Sequence, residues 1–111
     1  AEDSMYLVFF DFDKSGITSG ADSVLDAVAA EAAKRSVKAI EIVGHTDSSG
    51  ANAYNERLAI RRANAVRDAL AKRGIDVAVI NVDGRGAREL LVKTADNVRE
   101  PANRRAQISF K

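Results

Sequence analysis

A chain of 111 residues with 46% hydrophobic and 30% charged residues can bury one core and is too apolar for wholesale disorder. A net charge of +1, with the signs interspersed, gives no general attraction for nucleic acid, polyanions or an anionic membrane surface. The absence of cysteine removes disulfides, thiol catalysis and thiolate metal sites, and fits cytoplasm and periplasm equally well.

Residues 5–12 (MYLVFFDF) are almost continuously apolar and rich in β-formers, which predicts a central strand covered on both faces. Four of the chain's few aromatic residues, two tyrosines and four phenylalanines in all, fall in this stretch, which argues against a stacking platform for single strands. Asp11 and Asp13 mark its exit from the core. Ser19 is a plausible cap for a first helix and Asp22 sits in its first turn, where a carboxylate favours the helix dipole. That helix carries Ala21, Val24, Leu25, Val28 and Ala32 on one stripe and ends near Lys34 and Arg35.

A second strand is expected over residues 38–44, with Ile40 and Ile42 on one face and Val43 on the other. It breaks at Gly44-His45-Thr46-Asp47. Asn52 suits the N-cap of a second helix running to about Lys72-Arg73, with Gly74 as its C′ residue. Residues 77–83 predict a third strand and Gly84-Arg85-Gly86 a turn. Residues 89–102 carry no clear period, and Pro101 ends whatever precedes it. Arg105–Phe110 alternates, with Ala106, Ile108 and Phe110 inward. The order β-α-β-α-β-β, without repeats or linkers, predicts a single α/β domain over residues 1–111. Its simplest packing is an α+β sandwich, two helices on one face of a four-stranded mixed sheet.

The second helix carries a charge where its core face should be apolar. At about 100° per residue, Leu58, Ala59, Ala63, Val66, Ala69 and Leu70 share an arc with Asn55 and Arg62. A buried guanidinium needs partners, because an uncompensated buried charge is very costly. Asp47 is the nearest acid in sequence. One reading is an internal Asp47–Arg62 ion pair that pins loop to helix. The other is a two-signed site for a ligand with carboxylate and ammonium on one carbon, Arg62 taking the first and Asp47 the second. Loop amides and the helix N-terminus would add donors. At about 1.5–3 kcal/mol per charge-assisted hydrogen bond, less association costs, such a site supports roughly micromolar to millimolar binding.

Three further motifs have competing readings. Asp11, Asp13, Ser15, Gly16 and Asp22 imitate a calcium loop, but a strand precedes them and the last ligand is Asp rather than Glu. His45, the sole histidine, cannot build an ordinary zinc site and lacks a nucleophile elbow, so a turn-fixing role is expected. Arg104 sits at core parity before the last strand. Either its stem covers apolar surface or its head braces the site's carboxylates.

Phe10-Asp11-Phe12-Asp13, Gly44-His45-Thr46-Asp47, Tyr54-Asn55-Glu56-Arg57-Leu58, Arg62-Ala63 and Asn103-Arg104-Arg105 together resemble the OmpA-like peptidoglycan-binding domain. That domain is shared by outer membrane protein A C-terminal domains, peptidoglycan-associated lipoproteins and flagellar stator B proteins. The resemblance covers nearly the whole chain in order and implies the same β-α-β-α-β-β fold. It implies non-covalent binding of peptidoglycan through the diaminopimelate of its peptide stem, with Asp47 and Arg62 as the principal pair. By the same resemblance Phe12, Asp13, Thr46, Asn55 and Leu58 line the pocket. There are two departures: Ala59 replaces a usual serine, and Ser48 and Ser49 stand where some members carry an arginine. The resemblance implies no catalysis, cofactor or metal, and a periplasmic place at the outer membrane with envelope proteins as further partners. No apolar run approaches the ~18 residues of a membrane span and no signal peptide is visible, so any anchor has to lie outside these residues. The rival readings are a wall hydrolase using Asp13 and Asp47 as acid and base, and a protein-docking domain with a purely structural Asp47–Arg62 bridge. On the leading reading, Arg62→Ala abolishes wall binding while folding survives.

Overall fold

The computed structural model describes residues 5–34 and 38–110. Among them, β1 (Met5–Phe9), β2 (Ile40–Gly44), β3 (Ile80–Gly84) and β4 (Arg105–Phe110) form one mixed sheet in the order β1-β4-β2-β3. β4 is antiparallel to β1 and β2, whereas β3 is parallel to β2. Helices α1 (Asp22–Lys34) and α2 (Asn52–Lys72) pack on the face presented by Val8, Ile40, Ile42, Ala106, Ile108 and Phe110. The fold is α+β, with the element order that hydrophobic periodicity predicts.

Of the stripe expected on α1, Leu25 and Val28 are buried and Val24 and Ala32 half-buried, while Ala21 is buried in the 3-10 turn before the helix. Leu25 and Val28 of α1 meet Ala63, Val66 and Leu70 of α2 in one cluster, and each large aliphatic side chain buried there contributes about 1.5–3 kcal/mol. Every residue of the predicted α2 arc is buried, Asn55 and Arg62 included. Gly74 ends α2 as expected. It takes φ 93°, its amide donates to Ala71 O at 3.1 Å, and Ile75 donates to Leu70 O at 3.2 Å. Those two bonds are the Schellman pattern, completed by Ile75 packing on the core.

Several expectations need correction. β1 is an edge strand rather than a central one, with Met5 60% and Phe9 45% exposed. The last strand takes the inner position, pairing Val8 with Ala106 on one side and Gly44 with Ala106 on the other. β1 also stops at Phe9. Phe10 makes one more bond, its amide to Arg104 O at 2.8 Å, and residues 11–14 then turn, Lys14 donating to Asp11 O with Asp13 at φ 58°. Ser19 does not cap α1, since Ser19–Ala21 is a 3-10 turn leading into the helix. Asn52 is the first residue of α2 and Ala51 occupies the cap position without a side-chain bond. Residues 77–79 are a 3-10 turn capped by Asp76, so β3 starts only at Ile80. β2 likewise begins at Ile40 rather than 38, and the end of α1 beyond Lys34 lies outside the described residues.

α2 lies unusually close to the sheet, and this fixes where its polar face ends up. Gly44 and Gly84 are register partners on β2 and β3. A methyl group on Gly44 would run into the Ala59 carbonyl, and one on Gly84 into Ile60 and Ala59. With only hydrogens there, the helix backbone settles onto the strand ends. The first half of α2 therefore overhangs the point where β2 gives way to the 45–50 loop.

Candidate functional site

A cavity of about 540 Å³ opens at that point. Asn55, Leu58 and Arg62 enter it from α2, their spacing of three and four placing them on one helical face. Thr46, Asp47, Ser49 and Gly50 come from the loop after β2, and Phe12 and Asp13 from the turn after β1. Tyr54, Asn97, Arg99 and Arg104 complete it. All seven residues expected at the site, Phe12, Asp13, Thr46, Asp47, Asn55, Leu58 and Arg62, therefore line one pocket.

Arg62 is 0% exposed and is held by backbone oxygens, not by an acid. Its Nε donates to Lys14 O at 2.9 Å, one terminal nitrogen to His45 O at 2.8 Å and the other to Asp11 O at 3.2 Å. Phe10 lies beneath it, ring centre 5.3 Å from the guanidinium carbon. A guanidinium has five N–H donors, so one remains on each terminal nitrogen. Burial pushes its pKa down to about 10, opposed by the Asp47 charge, and it stays a cation at neutral pH.

Asp47 is 3% exposed and pairs with Arg104 at 3.2 Å rather than with Arg62. One carboxylate oxygen accepts from the Ser49 amide at 3.2 Å and hydroxyl at 2.6 Å, the other from the Glu100 amide and Arg104, each at 3.2 Å. Burial alone would raise its pKa. Those donors, the Ser49 hydroxyl foremost, outweigh it and hold the carboxyl below the usual range. The internal Asp47–Arg62 bridge is thus replaced by an Asp47–Arg104 bridge. Arg104 also donates to Phe10 O at 3.2 Å, and so braces the carboxylate as well as the end of β1.

The supporting contacts are mostly loop to loop. Thr46 donates to Asp47 O at 2.9 Å, and Asn55 Nδ2 to Ser49 O at 2.9 Å, so α2 orients the loop it overhangs. Ser48 Oγ bonds Thr94, Ala95 and Val98, and Asn97 Oδ1 accepts from the Gly50 amide at 3.2 Å. Asn103 closes the same segment by bonding both N and O of Val92 at 2.8 Å. The stretch without sequence period is therefore stitched along the 47–50 loop. At the rim, Asp13 accepts a hydrogen bond from the Tyr54 hydroxyl, and Arg99 lies over Phe12, 3.6 Å from its ring centre. That acceptor raises the Tyr54 pKa.

His45 does not line the pocket, and its charged neighbours are Arg105, Glu89 and Arg85. Its amide donates to Arg105 O at 2.7 Å and its carbonyl holds Arg62, so its backbone fixes the turn, while the buried Nδ1 has no partner among the described residues. Burial, then the Arg105 charge, lowers its pKa to about 4. Asp11 and Asp13 do not close a calcium loop with Asp22, which faces Arg73 at 3.5 Å instead. Among the residues missed from sequence, Ser49 had a signal: a serine two positions after Asp47 suits a side-chain-capped turn. Arg99 and Asn97, in a stretch with no period, had none.

The split arrangement of β1, β2 and β4 and the two-signed pocket at their ends define an OmpA-like α+β domain. Residues 9–104 match the sequence profile of the OmpA family, and the chain belongs to that family. It is 38% identical over 109 residues to an outer membrane protein of Gluconacetobacter diazotrophicus, covering 93% of this chain but 29% of that protein. It is 34% identical over 103 residues to the peptidoglycan-associated lipoprotein of Haemophilus influenzae, covering 93% of this chain and 67% of the lipoprotein. The crystal structure of the peptidoglycan-associated lipoprotein from Burkholderia pseudomallei superposes with a TM-score of 0.87 at 29% identity, over 96% of this chain and 90% of that one. No helix among the described residues is long and apolar enough to cross a membrane.

Proposed function

We propose that residues 1–111 form one non-catalytic module that binds peptidoglycan through the diaminopimelate of its peptide stem. On this reading it works in the periplasm and tethers an outer-membrane or envelope assembly to the wall. The observation that carries the reading is a single pocket holding a buried guanidinium and a buried carboxylate that are not paired with each other. The remaining terminal donors of Arg62 suit a carboxylate fork. The ammonium end requires a rearrangement, because the four acceptor positions of Asp47 are already filled. The Ser49 hydroxyl is the partner that yields most easily, by rotation, and Asp13 at the rim supplies a second carboxylate. Kinship with peptidoglycan-associated lipoproteins supports the wall as the ligand.

A hydrolase reading finds less support. A carboxylate acting as general base must be free to take a proton from water, and the four acceptor positions of Asp47 are already filled. Titrating meso-diaminopimelate while following amide resonances from Thr46 to Arg62, alongside co-sedimentation with purified peptidoglycan, tests the proposal. We expect saturable shifts confined to the pocket, retention on the wall and no release of soluble muropeptides. Absence of both shifts and retention would overturn it, and released muropeptides would point to hydrolysis.

A further inference from the structure

Five charged side chains line the pocket: Asp13, Asp47, Arg62, Arg99 and Arg104. Four are tied into the fold, Arg62 by three carbonyls, Arg104 by Asp47 and Phe10 O, Asp47 by its donors, and Asp13 by Tyr54. Arg99 differs. It is exposed, and among the described residues it has neither a carboxylate nor a carbonyl partner. It lies over the face of Phe12, itself a pocket residue. Stacking of this kind leaves the in-plane N–H donors of the guanidinium open, and at an exposed site it is weak enough to be rearranged by a ligand. The charge balance points the same way. Three arginines face two aspartates, and a zwitterionic centre adds one charge of each sign without removing the excess.

We infer that Arg99 takes a second carboxylate of the ligand, outside the zwitterionic centre held deeper in the pocket. This rests on the diaminopimelate reading, and makes Arg99 a specificity residue for ligands that carry two acids. Phe12 is then the plate that presets the guanidinium at the rim, with Arg104 on the same ring at 6.0 Å.

The test compares meso-diaminopimelate with D-lysine, which keeps the D-centre and the terminal amine but lacks the second carboxylate. Both are titrated into the intact protein and followed by pocket amide shifts. Wild type should favour diaminopimelate by about fivefold, the size of an exposed ion pair. Arg99→Gln should reduce that preference to under about twofold, and Arg99→Lys, which keeps the charge but not the fork, should restore part of it. An unchanged preference in Arg99→Gln, or none in wild type, overturns the inference while leaving the diaminopimelate site standing. Failure of both amino acids to shift the pocket amides removes the site itself and the inference with it.

Discussion

At the scale of single residues, Arg62 is a structural clamp as well as a pocket wall. Its three carbonyl acceptors belong to Asp11 and Lys14 in the turn after β1 and to His45 at the end of β2. Truncation removes a donor from all three, the His45 carbonyl in a buried bond and the other two in part-buried ones, at about 1–3 kcal/mol for each oxygen that water cannot reach. Arg62→Ala is therefore expected to lose about 3 kcal/mol of stability and roughly 10–20 °C in Tm, read by thermal circular dichroism. An unchanged Tm would mean that the carbonyls find other donors. Folding is still expected to survive the substitution, at reduced stability, so the rim residues are cleaner probes of binding. Asp47 has the same double character. In Asp47→Asn, the amide nitrogen has to face the Ser49, Glu100 or Arg104 donors, so loop order and binding should fall together.

At the scale of elements, the site depends on how closely α2 approaches the sheet. Gly44, Gly84 and Ala106 form a row of small residues across three strands, and Ala59 and Ala63 of α2 settle over it. Ala59 is buried against these strand ends, its methyl group beside Gly84. Gly44→Ala should push the helix outward and cost roughly 1–3 kcal/mol or more. Gly20→Ala is the control, since nothing lies within 4 Å of a methyl there, and it should change stability by less than about 0.5 kcal/mol. Chemical denaturation of the pair checks this; equal midpoints would show that α2 can shift at no cost.

At the scale of the whole molecule, acid should loosen the domain through one histidine. His45 is buried, and its pKa lies near 4 against an ordinary 6.5, so the unfolded chain binds its proton first. Stability from His45 is therefore complete above pH 6.5 and is lost as pH falls towards 4, by roughly 3 kcal/mol. Asp47, whose folded pKa is depressed, acts in the same direction at lower pH. Its contribution is present above its unfolded value of 3.8 and is lost as pH drops through the folded one. Because the chain has a single histidine, the segment between pH 6.5 and 4 is diagnostic. Denaturation midpoints of wild type should fall across it, and those of His45→Asn should stay nearly flat; parallel curves would exonerate His45.

Local pattern determined a good deal. The arcs of α1 and α2, the inward faces of β2 and β4, and the Gly74 stop were legible because burial on one face imposes a period on consecutive residues. Arg62 and Asn55 were legible for the same reason, as polar intrusions into an otherwise apolar arc. Strand order was not legible. An aromatic run reads alike in a central or an edge strand, and only pairing with β4, about a hundred residues away in sequence, made β1 an edge. The partner of Asp47 was likewise a matter of tertiary structure. Sequence proximity pointed to Arg62, but the turn after β1 supplied Arg62 with carbonyls, and the 3-10 turn before β4 delivered Arg104 to the carboxylate. Charge at a given position is written in the chain; which opposite charge or oxygen reaches it is decided by where the loops meet.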